Sequence, residues 1–441
     1  MSGSRRAGLR RLAALTATLC GLALVACTPS EHRTVTVLGP WIPSEKEQGE
    51  QESFQAIIDR FQEQTGILVD YTGTRDADAV LASELGSGKP PDLAVLANPG
   101  RLEEYAMAGA LVPIEAALDD SQLREQYDEK WLELMRATSP SGAKGYYAIL
   151  VKAASKSLIW YNPAALPAEY SQLLTPDLTW PELTTMTSEL SKGADPWCLG
   201  LADSSNSGWP GTDWIEDIVL HQSGPLVYDQ WADSQLSWTS PQIKSAWQAW
   251  GKLIDVSAAR PEEIENWLLT SYREAGWPLF DKPAGCFLEH AASFVTNSYA
   301  DYESATGVPR PGTDFTFAPF PPSTGSLIVG GDLLGMFRDT PAAREFIAYL
   351  TTSEAQAIWT ARPGSGAISV NKQVSLDNYP DELSRDLAAS LLAASEPRFD
   401  ASDSMPQVMA SAFHHAVLAY LDNPAQLDAI LRQLDEVRQP R

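Results

Sequence analysis

Between residues 34 and 107 the hydrophobic pattern switches repeatedly between period two and period 3.6, and no other feature restricts the fold as much. Thr34 to Gly39 (TVTVLG) is β-branched and alternating, the mark of a strand. Phe54, Ile57, Ile58 and Phe61 then fall at i, i+3, i+4 and i+7, one face of a helix that Gly66 stops. Ile67 to Thr72 is a second strand. Asp76 caps a helix carrying Val80, Leu81 and Leu85. The breaker Gly88-Lys89-Pro90-Pro91 precedes a third strand, Asp92 to Ala97, and a short helix runs from Pro99 to Met107. A strand–helix repeat of this kind predicts a parallel α/β sheet, with ligands held beyond the carboxyl ends of its strands.

Residues 1–27 stand apart from that pattern. Arg5, Arg6, Arg10 and Arg11 precede an apolar run, Leu12 to Ala26. A membrane span needs about 20 apolar residues, so this shorter run reads as the core of an export signal. Its end, Leu24-Val25-Ala26-Cys27, resembles a bacterial lipobox, in which the Cys takes a diacylglyceryl group. Two acyl chains are enough to hold a protein at a membrane. The expected product is an extracytoplasmic body anchored through Cys27; an ordinary secreted protein is the alternative. Residues 28–33 are short, polar and contain Pro29, a linker.

Export decides the cysteines and colours the charge. With Cys20 in the signal and Cys27 in the lipobox, Cys198 and Cys286 remain as an even pair in an oxidising compartment. That predicts a disulfide; two buried free thiols are the alternative. The 57 acidic residues outnumber the 32 basic ones, the wrong balance for holding nucleic acid. No internal repeat or low-complexity tract is present.

Strand-like runs return at Gly145 to Val151, Ser157 to Tyr161, Phe287 to Val295, Phe315 to Phe320 and Ser326 to Phe337. Helical patterns cover 211–223, 240–255 and most of the last hundred residues, where Thr340-Pro341 and Ser353 with Gln356 cap two of them. Seven of the 14 tryptophans lie between Trp197 and Trp250. An indole ring fills a core or offers a flat face to a sugar ring, and the pattern allows both.

Several strings carry a family resemblance: Gly208-Trp209-Pro210-Gly211-Thr212-Asp213-Trp214-Ile215-Glu216-Asp217, Pro196-Trp197-Cys198-Leu199-Gly200, Ala284-Gly285-Cys286-Phe287 and Phe399-Asp400-Ala401-Ser402-Asp403-Ser404-Met405-Pro406. Ile159-Trp160-Tyr161-Asn162, Thr179-Trp180-Pro181-Glu182-Leu183 and Gly330-Gly331 add more general features. Together they resemble the extracellular solute-binding proteins (family 1 type) of carbohydrate ABC transporters, especially those that bind alpha-glucosides, over nearly the whole chain beyond the signal. The resemblance implies an α/β, two-lobed, type II periplasmic-binding-protein-like fold with a helical C-terminal segment and several chain crossings. Carried over, one lobe spans 34–150 plus 306–338 and the other 151–305 plus 339–441. It also places the family's disulfide on Cys198 and Cys286. It implies a glucoside-like sugar or oligosaccharide as ligand, ABC permease subunits as partners, no cofactor and no catalysis.

A sugar site needs aromatic faces, and carboxylates, amides or Arg for the hydroxyls. Trp41 and Asn98 follow the first and third strands, at the ligand-facing end. Trp41 can equally staple the next helix, and Asn98 can serve the turn before Pro99. Trp209, Asp213 and Trp214 lie on a Gly/Pro-rich approach to a helix, where Asp213 can also be a cap and Trp214 a core residue. Asn297 and Tyr299 follow the strand ending at Val295. Gly331 and Asp332 interrupt an apolar strand, where glycine marks a close approach and a carboxylate needs a partner. Arg362 ends a helix before a Gly-rich turn.

Enzyme patterns fit poorly. Gly86-Ser87-Gly88-Lys89 lacks the first glycine and the Ser/Thr of a phosphate loop. There is no G-x-S-x-G, and the five histidines form no spaced ligand set. The rival reading is a secreted glycoside hydrolase with paired carboxylates drawn from Asp213, Glu216, Asp217 and Asp332, though no spacing singles out a pair.

Overall fold

The computed structural model describes residues 33–438 apart from 44–48, 194, 256–259, 304–306, 323–324 and 364. The export signal, Cys27 and all of the linker but Arg33 lie outside the described residues. Among those described, no helix is long and apolar enough to cross a membrane.

The strand–helix repeat forms as its periodicity predicts. Strand β1 (Thr34–Gly39) leads to a helix, Glu50–Thr65, that buries Phe54, Ile57, Ile58 and Phe61. Gly66 ends it at φ 68°, a left-handed conformation that glycine adopts without strain. Strands β2 (Leu68–Gly73) and β3 (Leu93–Leu96) flank β1 in parallel. β3 is buried throughout, as a strand covered on both faces must be. A hairpin of β4 (Arg136–Thr138) and β5 (Lys144–Tyr146) precedes β6 (Ala148–Ser155). Strand β7 (Leu158–Tyr161) then begins a second sheet with β8 (Asp195–Trp197), β9 (Cys286–His290) and β10 (Thr316–Pro319), in the order β10-β7-β9-β8. The chain returns to the first sheet in β11 (Ser326–Met336), which pairs antiparallel with β3 and β6 and parallel with β12 (Glu396–Phe399). The first sheet is therefore mixed and not parallel throughout, because β11 enters it from the opposite direction.

The chain passes between the two sheets three times: at 156–157, at 320–325 and at Asp400. Packing moves the expected lobe limits at two places. Thr316–Pro319 pairs with β7 in the second sheet, so only β11 onward returns to the first. The helices Pro341–Leu350 and Ser353–Thr360 cover the first sheet: Phe346 meets Phe61 at 4.7 Å, and Trp359 meets Trp41 at 4.7 Å. Only the segment after Asp400, with helices Gln407–Asp422 and Leu427–Val437, joins the second core. Helical periodicity reports a buried face but not which sheet it covers.

Cys198 and Cys286 form a disulfide, joining the residue after β8 to the first residue of β9. Trp197, Trp214, Trp231, Trp238, Trp247 and Trp250 are all at most 3% exposed in the second core. Of the seven clustered indoles, only Trp209 keeps part of its surface open.

Candidate functional site

β1 and β6 deliver one wall of the site. Lys152, on β6, faces Asp332 across the ladder, and its Nζ lies 3.1 Å from Asp332 Oδ2 and also reaches Glu50 at the start of the 50–65 helix. Asp332 thus has the partner its apolar strand demands, and that partner is Lys152. Burial opposes the Lys152 charge, but the two carboxylates outweigh it and hold the ammonium protonated. The same Nζ sits 5.8 Å from the ring centroids of Trp41 and of Trp359. Trp41 does follow β1, but its ring is 3% exposed and packs on Phe54 and Trp359.

Arg362 and Asn297 each carry a buried polar atom without a partner. Arg362 donates its backbone N–H to Trp359 O at the end of the 353–360 helix, and its Nε is buried without a partner. Gly366, a few residues on, comes so close to Asn297 that a Cβ there would lie 3.2 Å from Nδ2. Asn297 Oδ1 is likewise buried and unpartnered. Asn297 stands on a helix, Val295–Asp301, because β9 ends at His290 and not at Val295 as expected.

A second group is aromatic. Gly208, at φ 107°, turns the chain into the helix Trp209–Ser223; a Cβ there would lie 2.3 Å from His414 O, so only glycine fits. That turn leaves the Trp209 ring half-buried. Its Nε1 donates to Asp203 Oδ2 at 2.9 Å, Tyr272 meets it edge-on at 4.9 Å, and Phe294 lies at 6.0 Å. Burial raises the Tyr272 hydroxyl, with the Arg273 charge acting against it. Trp209 and Tyr272 together form an aromatic shelf that keeps part of each side chain open.

Beneath the shelf lies a buried charge cluster. Lys156 Nζ is 5.3 Å from the Trp209 ring centroid, 3.2 Å from Asp213, 2.5 Å from Asp400 and 3.7 Å from Asp403. Burial raises the Asp213 carboxyl well above the ordinary carboxylate range, against the pull of Lys156. Burial also works against Asp400, but Lys156 and Asp213 reverse that and hold it ionised. Burial, with Asp400 close by, pushes the part-exposed Asp403 up to about 7.

Four sequence candidates have other work. Trp214 is 1% exposed, tilted against the His290 ring at 4.4 Å and met edge-on by Trp197 at 4.6 Å. Tyr299 is fully buried and donates to Glu289 at 2.5 Å. Gly331 is required because β6 comes close: a Cβ would lie 2.7 Å from Leu150 Cδ1 and 2.8 Å from Lys152 O. Asn98 caps the Pro99–Met107 helix through Arg101 N–H. In each case the sequence located the position in the fold, while packing occupied the side chain. Lys152, Lys156, Glu50, Asp203, Tyr272 and Trp359 lie beside these positions without being among the sequence candidates. The two lysines were findable: in AILVKAASKS they interrupt an apolar run, the argument applied above to Asp332.

A family described as Bacterial extracellular solute-binding protein matches residues 56–389. The Osmoprotective compounds-binding protein GgtB of Synechocystis sp. is 32% identical over 380 residues, 85% of each chain. The Alpha-glucosides-binding periplasmic protein AglE of Rhizobium meliloti is 29% identical over 409 residues, 90% of this chain and 85% of that one. A solved structure described as a Chitin oligosaccharide binding protein superposes with a TM-score of 0.74 at 18% identity, covering 92% of this chain and 98% of the other. The mixed first sheet, the second sheet, the crossings between them and a match over most of the length agree: this chain belongs to the family of bacterial extracellular solute-binding proteins.

Proposed function

We propose that this protein captures a neutral sugar or oligosaccharide, glucoside-like in character, and hands it to the permease subunits of an ABC importer. The observation that carries this reading is the half-buried Trp209–Tyr272 shelf, with the Lys156 ammonium 5.3 Å from the Trp209 ring. A pyranose stacks its C–H face on such a ring and offers its rim hydroxyls to carboxylates, Arg and amides. Trp209 stacks the ring. Arg362, Asn297, Asp332 and the edge of Trp41 supply the facing contacts, with Asp213 supporting the shelf through Lys156. The names of the relatives point the same way, to osmoprotective compounds in one and alpha-glucosides in the other.

Binding here needs no chemistry on the sugar. Of the four carboxylates a hydrolase would draw on, Asp213, Glu216 and Asp217 are each at most 2% exposed and engaged with Lys156, backbone amides or His290, and Asp332, 8% exposed, is paired with Lys152. Capture proceeds by lobe closure, because ligand contacts drawn from both lobes favour the closed arrangement. The lobes we propose follow the packing: 34–155 with 326–399 against 158–319 with 401–437. Acylation of Cys27 keeps the body at the membrane beside its permease.

Calorimetry against a panel of alpha-glucosides and other neutral oligosaccharides tests the proposal. Saturable binding with the sugar recovered intact is the expected result. Binding of no sugar, or hydrolysis of one, overturns it. For the anchor, a Cys27→Ser variant should lose lipid labelling and leave the membrane fraction.

A further inference from the structure

Three carboxylates on one face of the 209–223 helix, at i, i+3 and i+4, bond to residues at the first and third crossings and, through Ser157, to the strand that follows the second. Asp213 pairs with Lys156 of the first crossing at 3.2 Å, and Lys156 in turn holds Asp400 of the third at 2.5 Å. Glu216 accepts the N–H groups of Ala401 at 2.7 Å and Ser402 at 3.1 Å, directly after the third crossing. Asp217 accepts from Ser157 Oγ of the first crossing at 2.5 Å and is held by His290 Nε2 at 2.7 Å. Ser157 Oγ accepts in turn from Ile328 N–H at 2.8 Å, on the strand that leaves the second crossing. All three carboxylates are at most 2% exposed, so water does not compete for these bonds.

We infer that the acidic face of this helix clamps the hinge, and that Ser157 and Asp217 are positioning residues that set ligand affinity without touching the ligand. The inference rests on the two-lobed capture reading above. Neighbouring residues on an extended segment point to opposite sides. Lys156 is turned toward Trp209 and the cleft, whereas Ser155 and Ser157 line a cavity of about 420 Å³ behind the hinge. Phe317 and Phe320 wall that cavity from one side, Ser390 and Ala393 from the other. The cavity gives the crossings room to rearrange, which a close-packed hinge would not. The Asp217–Ser157–Ile328 link joins a helix of one lobe to a strand of the other in the arrangement seen. Removing it withdraws free energy from that arrangement alone, so the populations of open and closed forms shift. Apparent affinity follows the competent fraction.

The test uses the full chain with one spin label on each lobe, at Ser83→Cys and Ser188→Cys, both exposed. Ser157→Ala and Asp217→Asn should each displace or broaden the sugar-free distance distribution. Each should also change the Kd for a sugar that the wild type binds by about fivefold or more. Ser157→Thr keeps the hydroxyl, its methyl has the cavity to enter, and it should behave as wild type. Ala393→Phe, which fills the cavity from the first lobe, should also displace the distribution. Wild-type distributions in folded Ser157→Ala and Asp217→Asn, or altered affinity with unaltered distances, overturn the clamp. A wild type that binds no sugar defeats the capture reading instead, and the sugar-free distances still decide the clamp.

Discussion

Trp209 and Trp214 stand five residues apart on one helix, yet one ring is half-open beside Lys156 and the other is 1% exposed against His290. Their replacement should therefore separate binding from stability. Trp209→Ala should weaken sugar binding by roughly 1–3 kcal/mol in calorimetry with little change in melting. Trp214→Ala should cost about 3–5 kcal/mol of fold stability in urea unfolding. Similar behaviour of the two variants would reject the shelf. Glu289 makes a different kind of prediction. Burial beside Tyr299 pushes its carboxyl up to about 8 from an ordinary 4.5. Between those values the folded state holds a proton that the unfolded chain releases, so stability falls as pH rises and the loss completes above about 8. Asp403, raised to about 7, acts in the same direction. His414, lowered by burial to about 4, acts in the opposite one, but only below its ordinary 6.5. From pH 6.5 to 8.5 the melting temperature should therefore decline, and Glu289→Gln should flatten that decline. An equally steep slope in the variant would show that Glu289 does not titrate there.

The 209–223 helix shows what an element can carry when its buried face is charged. Asp213, Glu216 and Asp217 are tolerated in the interior because Lys156, two backbone amides and two histidines answer them. Removing the one ammonium should be severe. Lys156→Met is expected to cost about 3–5 kcal/mol in urea unfolding, because Asp400 would remain ionised and buried with no cation. A loss below about 1 kcal/mol would mean that Asp400 simply takes up a proton. The Cys198–Cys286 bond closes a separation of 88 residues across the β8–β9 pair. Reduction, or a double Ser variant, should remove up to about 4–5 kcal/mol on chain-entropy grounds. Identical unfolding curves with and without reductant would contradict that.

At the scale of the whole molecule, two larger sheets, two cores and the crossings between them make a body in which we expect the lobes to move against each other. Ligand at a hundred times its Kd should raise the unfolding free energy by about 2.7 kcal/mol and reduce the radius measured by small-angle scattering. Stabilisation without contraction would argue for a site already closed before the sugar arrives. The net charge of −25 should keep such bodies apart from one another at a crowded surface.

Periodicity in the sequence determined the order and type of the elements, since the spacing of apolar residues along a strand or helix is a local property. β1 to β3, the 50–65 helix and the Pro-started helices form as read. The cysteine count determined the disulfide. Only the tertiary structure decided which sheet the 341–360 helices cover, that Trp214 and Tyr299 belong to cores, and which carboxylates Lys152 and Lys156 meet. Those outcomes depend on partners hundreds of residues away, such as Asp400 for Lys156, and a charge balance assembled from distant segments exists only once the chain has folded.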